Sequence, residues 1–180
     1  MKIRKLLGLG IALILVNEAK AEDRPFLAGW GTVIFGMPLE EAVQKLGSSA
    51  KFTTEGHHEI VYDLTINGVP FRAFITSRLR NKRVDTIRLR DMLVGPGTSE
   101  TECDTGSRVI LSSLEKKYGN KVIAKSGEGG GWRSRSYSYV FENAYISHQR
   151  GFAPTMPACI LDVVYQTLDA LNEENKEGSF

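Results

Sequence analysis

EIVYDLTINGVPFRAFITS, residues 59–77, holds two β-rich runs on either side of Asn67-Gly68. That dipeptide is the preferred centre of a two-residue type I′ turn, because both central residues need positive φ. Taking it as the turn pairs Ile66 with Val69, Leu64 with Phe71, Tyr62 with Ala73 and Ile60 with Ile75. Side chains alternate across a strand, so these pairs share one face and make it apolar throughout. The other face pairs Asp63 with Arg72, opposite charges across the strands, and Val61 with Phe74. The stretch reads as an antiparallel hairpin with one packed and one polar face.

Downstream, RLRNKRVDTIRLR (78–90) carries six basic side chains and one acid, Asp85. It supplies a turn around Asn81 and a third strand in which Ile87 and Leu89 alternate with Arg88 and Arg90. Val84 is out of phase with Ile87, which indicates a bulge or a late strand start. Upstream, FGMPLEEAVQKLG (35–47) has a first-turn Pro38, acidic Glu40 and Glu41 where the helix dipole favours them, and Gly47 as a stop. Leu39, Val43 and Leu46 fall on one face of a short amphipathic helix.

The theme returns in the second half. GPGTSETECDTG (95–106) has loop composition and marks the boundary. SRVILSSLEKKYG predicts a helix with Ile110, Leu111, Leu114 and Tyr118 on one side, stopped by Gly119. Val122-Ile123 suggests a short edge strand, and Gly127 to Gly131 a flexible loop. A second hairpin is expected from about Ser134 to Phe152, turning near residues 142–144. In CILDVVYQTLDAL, Cys159, Leu161, Val163 and Tyr165 share one strand face, and residues 172–180 form a polar tail. The fold class is α+β: a helix followed by antiparallel β-hairpins, twice, giving related halves at 22–94 and 95–171 with helices on one sheet face. One continuous sheet bearing two helices satisfies the same pattern.

The N-terminus, MKIRKLLGLGIALILVNEAKAEDRP, reads as a secretory signal over residues 1–21: a basic start, an apolar run from Leu6 to Val16, then Ala19-Lys20-Ala21. The apolar run is too short for a permanent span, which needs roughly 20 residues. Removing the leader takes away Lys2, Arg4, Lys5, Lys20 and Glu18. That leaves 19 of 23 basic and 20 of 21 acidic residues, so the net charge of +2 becomes −1. A nucleic-acid-binding domain is usually strongly basic, so nucleic acid is excluded as a partner and any basic patch is local. The two cysteines, Cys103 and Cys159, have no C-x-x-C arrangement and, in an oxidising compartment, read as one structural disulfide.

Phe35-Gly36-Met37-Pro38-Leu39-Glu40-Glu41-Ala42-Val43, then Leu46-Gly47 and a hairpin, resembles the helix entry of small exported α+β domains. These are the β-lactamase inhibitory protein-like fold and the similar SmpA/OmlA (BamE-like) envelope proteins. The resemblance covers residues 32–90, with a looser echo over 103–167 around Cys103, Tyr118-Gly119 and Cys159. It implies a binding scaffold rather than an enzyme, with helices on one sheet face and partners on the other face or the loops. Two departures are plain: the envelope-assembly members are lipoproteins and no lipidation cysteine stands here, and the inhibitors' contact residues have no counterpart.

Candidates for catalysis are thin. S-x-x-K occurs twice, at Ser113–Lys116 and Ser48–Lys51, and Lys125-Ser126-Gly127 lies too close to Lys116 to complete a serine-hydrolase set. His57 and Glu59, two apart on a strand, need His148 from the other half to hold a metal. Gly127-Glu128-Gly129-Gly130-Gly131 lacks the Lys-Ser/Thr of a phosphate loop. Tyr137, Tyr139 and Phe141 share one strand face and read as core, with Trp132 beside the glycines as an exposed anchor.

The expected function is a non-enzymatic, periplasmic or secreted module for protein binding or cell-envelope association, without cofactor or metal. Its binding residues are Arg72, Arg78, Arg80, Arg83, Arg88, Arg90 and Trp132; the competing reading of the arginines is a solvated face with Asp63, Asp85 and Asp91 as their partners. The partners are an envelope or extracellular protein, acidic in character, or an anionic glycan or lipid head group. The alternative is an exported hydrolase or metal-binding enzyme with an unrecognised site.

Overall fold

The computed structural model describes residues 24–53, 58–119 and 123–177. The leader at 1–21 and His57 lie outside the described residues. Thirteen elements follow one another: β1 (Gly29–Trp30), β2 (Val33–Ile34), α1 (Leu39–Leu46), β3 (Lys51–Phe52), β4 (Glu59–Ile66), β5 (Val69–Thr76), β6 (Thr86–Asp91), α2 (Glu100–Tyr118), β7 (Ile123–Gly129), β8 (Trp132–Val140), β9 (Ala144–Ala153), β10 (Ala158–Thr167) and α3 (Leu168–Glu177).

The fold is α+β. β1 and β2 form a small hairpin, and the other eight strands make one sheet in the order β3-β4-β5-β6-β10-β9-β8-β7, antiparallel throughout. Each half is a helix followed by a four-strand meander, and the halves meet where their last strands, β6 and β10, pair antiparallel. The repeated unit and the continuous sheet are therefore the same object.

The hairpin register is the one the sequence predicts, from Ile66↔Val69 to Ile60↔Ile75, with Asp63 opposite Arg72. Asn67 (φ 51) and Gly68 (φ 83) supply its two left-handed residues. The third strand starts late, at Thr86, which removes Val84 from the alternation. Across the sheet Ile60, Ile75, Ile87, Tyr165, Ile146 and Tyr139 stand in one cross-strand row. All six are buried and pack with Leu39 and Ala42 of α1 and Leu114 of α2 in a single core. Every strand in that row sends its next-but-one residues to the same side, so α1 and α2 cover one face and leave the other without a helix over its centre.

α2 is drawn onto β9 and β10 by several different contacts. The Cys103–Cys159 disulfide closes its first turn, with Cα atoms 5.7 Å apart. At Gly106 a Cβ would stand 2.7 Å from the Leu161 Cδ1 methyl, so a larger residue there would require Leu161 or the helix to shift. At the far end Tyr118 meets Phe141 edge-to-face at 5.5 Å. α1 is held differently: Leu39 N–H donates to Lys82 O, and Val84 exchanges backbone hydrogen bonds with Gly36 and Met37.

Three elements differ from the sequence reading. α2 begins at Glu100, inside the stretch read as a loop, because Ser99-x-x-Glu102 is a capping box: the Ser99 hydroxyl accepts from Glu102 N–H (3.3 Å), and the Glu102 carboxylate accepts from Ser99 N–H (2.8 Å). β7 runs through Gly127 to Gly129, where a loop was expected, because β8 offers a full strand edge to pair with. Residues 168–177 form α3 rather than an extension of the strand and a polar tail, with Ala170 fully buried.

Replacing both Cys103 and Cys159 with alanine should lower stability by up to about 4 kcal/mol, since the bridge spans 56 residues of sequence. Denaturant unfolding of the oxidised protein and the variant measures this; equal midpoints would show that the bridge constrains nothing.

Candidate functional site: the helix-free sheet face

The face opposite α1 and α2, bordered by α3 through Glu174 and Gln166, is organised by one polar row. Asp63, Arg72, Arg90, Asp162, Gln149 and Ser136 stand side by side on six successive strands. Two arginines are neighbours at its centre, and each turns outward to an acid. Arg72 donates from Nε and Nη2 to Asp63 at 2.7 and 3.0 Å, and Arg90 does the same to Asp162 at 2.8 and 2.9 Å. Both are two-pronged, the geometry in which guanidinium and carboxylate bind best.

The two pairs are not equivalent. The Asp63 side chain is 63% exposed, whereas that of Asp162 is 5% exposed. The hydrogen bonds from Arg72 hold the Asp63 carboxyl below the usual carboxylate range, and the bond to Asp162 raises the Arg90 guanidinium, burial opposing it. Arg88, on the same face, reaches Asp162 only at 3.9 Å and keeps about a third of its side chain exposed. It is the least committed arginine of the three. Phe74 lies beneath the Arg90 guanidinium at 6.0 Å. Beside them Thr76 and Thr86, a cross-strand pair, bury hydroxyls with no hydrogen-bond partner among the described residues. With Glu59, Arg78 and the two arginines these line a shallow cavity of about 210 Å³.

The remaining predicted arginines divide. Arg78 leans toward Glu174 of α3 at 3.6 Å, beside the Gln166–Glu174 hydrogen bond at the margin of this face. Arg80 is exposed on the β5–β6 connection. Arg83 is instead spent on the entry to α1, donating to Gly36 O at 2.7 Å. The connection is stiff: Asn81 Oδ1 accepts from the Ser77 hydroxyl and Arg83 N–H, and the Asp85 carboxylate accepts from Arg78 and Leu79 N–H at 3.0 and 2.9 Å. Asp85 is thus a buried turn clamp and not a counter-charge for arginine. Asp91 falls on the opposite face, in the Phe71 register of β5. Sequence reasoning missed Asp162, 72 residues from Arg90; its signal was a lone acid in the apolar run Ile160–Val164.

Trp132 belongs to the helix-free face but is half-buried, with its ring against Gly151, where a Cβ would stand 3.3 Å away. It is packed into the sheet, not the exposed anchor expected beside the glycines.

The candidates for catalysis separate. Glu59 and His148 occupy opposite faces, with β5, β6 and β10 between their strands, and so do not share a ligand position. Ser113 donates to Val109 O within its own helix. One new pairing appears: Ser107 Oγ of α2 lies 2.8 Å from His148 Nε2, and His148 Nδ1 lies 3.0 Å from Asp162 O. Burial lowers the His148 pKa, against the pull of Asp162, and so favours the neutral ring. A neutral ring that donates Nδ1–H to the carbonyl accepts the Ser107 hydroxyl at Nε2, so the pair is mutually satisfied. Beside it, Arg108, Arg135, Tyr137 and Arg150 line a cleft of about 400 Å³.

No protein-family model matches this chain, and comparison with curated proteins and with solved structures finds no match.

Asp162→Ala should cost about 2 kcal/mol, because it strips two charge-assisted hydrogen bonds from Arg90 and leaves Arg88 beside it. Asp63→Ala should be close to neutral, its pair being open to water. Thermal unfolding of the two variants gives the comparison; equal losses would contradict the burial difference.

Proposed function

We propose that this chain is an exported, non-enzymatic binding module of the periplasm or extracellular space that engages an envelope or extracellular protein through the helix-free face of its sheet. One observation carries the reading. The face presents Arg72, Arg88, Arg90 and Phe74 on a rigid sheet, with two arginines already drawn outward and Arg88 only loosely held. On such a face Arg88 offers a planar donor to a carboxylate of a partner, at no cost in ordering a loop.

Three features support the reading. The leader has the composition of an export signal. Cys103 and Cys159 form a disulfide, which persists in oxidising compartments. The helix entry and hairpin resemble those of exported partner-binding domains. Among the described residues no helix is long and apolar enough to cross a membrane.

A second reading, an exported hydrolase, is favoured by the Ser107–His148 pair with its backbone acceptor. It requires Ser107, 6% exposed, to reach substrate from the adjoining cleft.

A photoreactive residue in place of Arg88 should crosslink to a partner in native envelopes, while one in place of Glu40 on α1 should not. Arg88→Glu should weaken recovery of that partner at least about ten-fold, the scale of a lost charge pair. Crosslinks from the α1 position alone would overturn the reading. Labelling of Ser107 by a fluorophosphonate, abolished by Ser107→Ala, would establish the hydrolase in its place.

A further inference from the structure

An apolar cavity lies on the other side of the sheet. α1 packs over β4 and α2 is held over β9 and β10. The strand surface between them opens as a cleft of about 460 Å³, within the usual range for small-molecule sites. Phe71, Leu89 and Val163 form its floor from three adjacent strands, and Ile110 and Leu114 of α2 form one wall. Its mouth is edged by apolar side chains that water would otherwise disfavour: Leu93 is 67% and Val109 60% exposed.

One acid faces this lining. Asp91 is 8% exposed, and among the described residues its carboxylate accepts one hydrogen bond, from Leu93 N–H at 2.8 Å. Among the described residues no cation lies within ion-pair distance of it. Burial pushes its carboxyl above the ordinary value, with the Leu93 N–H pulling the other way. An unpaired carboxylate against apolar walls is costly unless a cation meets it. The cavity's other charged group, Lys117, stands eleven residues beyond Gly106 on α2, about 16 Å along the helix axis. The cleft is thus lined mainly by apolar side chains and carries one acid, Asp91, and one cation, Lys117.

We propose that the cleft between α2 and strands β4, β5, β6 and β10 binds an elongated apolar molecule bearing a primary ammonium group, with the ammonium received by Asp91 and the apolar body laid along Phe71, Leu89 and Ile110. The site is on the face opposite the arginine row and does not depend on the partner-binding reading. Its chemistry selects by charge at Asp91: an ammonium completes the carboxylate, a neutral alcohol leaves it without a counter-charge, and a second carboxylate at that end is repelled. Each added methylene contributes about four-fold in affinity while the chain remains inside the cleft.

Calorimetric titration of the full mature chain with decylammonium, decanol and decanoate, below their micellar concentrations, tests this. Decylammonium is expected to bind at least ten-fold more tightly than decanol or decanoate, and octylammonium about sixteen-fold more weakly than decylammonium. Asp91→Asn keeps the acceptor for Leu93 N–H and should reduce decylammonium to the affinity of decanol while leaving decanol unchanged. Val109→Trp, at an exposed helix position where folding is not at stake, should weaken all the ligands by narrowing the mouth. Equal affinity for the three head groups, indifference to Asp91→Asn, or an Asp91→Asn variant that loses decanol equally would overturn the role of Asp91. Absence of binding, or indifference to Val109→Trp, would overturn the site.

Discussion

The antiparallel pairing of β6 with β10 is the contact on which the rest of the molecule depends. Each half is a helix and a four-strand meander, and neither meander ends at a natural closure. By joining last strand to last strand, the pairing removes two sheet edges that would otherwise present unpaired backbone groups. It also sets the registers on both faces at once. On one side Ile87 meets Tyr165 and Leu89 meets Val163, so two apolar surfaces become a single core. On the other side Arg90 meets Asp162, so an arginine of the first half finds its acid in the second. A slip of one residue would exchange the faces and bury the arginines.

The seating of α2 is the second constraint. A disulfide, a glycine admitting Leu161, a Ser107–His148 hydrogen bond and the ion pairs of buried Arg150 with Glu100 and Asp104 all tie the helix to β9 and β10. These contacts differ in chemistry and agree in position. Arg150 shows why the N-terminal turns are acidic: its guanidinium, nearly fully buried, needs both carboxylates. Holding α2 over β9 and β10 leaves β5 and β6 less covered, and the apolar cleft is the geometric result.

Local chemistry made much of this legible from sequence. Asn67-Gly68 specifies a hairpin turn, and alternation around it specifies both the register and the Asp63–Arg72 pair. Period and stop signals locate α1 and the body of α2. The errors have physical causes. The capping box at Ser99–Glu102 sits in a stretch whose Gly, Thr and Ser content suggests a loop, and composition was weighed above spacing. β7 is glycine-rich and exposed, so nothing in its own residues specifies a strand; the edge of β8 does. α3 follows β10 without a break and became visible as a helix only once Ala170 had a core to enter.

By itself the sequence determined the class of the fold, the two faces of the Asn67-Gly68 hairpin and the disulfide, since two cysteines allow one pairing. All of these follow from periodicity, turn preference or counting, which act over a few residues. Only the tertiary structure decided which acid each arginine meets: Asp85 became a clamp for a turn, Asp91 crossed to the helix side, and Asp162 arrived from the far half. Tertiary structure likewise brought His148 to Ser107 and opened the cleft above Phe71 and Leu89. Contacts between residues distant in sequence depend on strand order, and strand order is set by how two meanders bury their edges together, which no local pattern records.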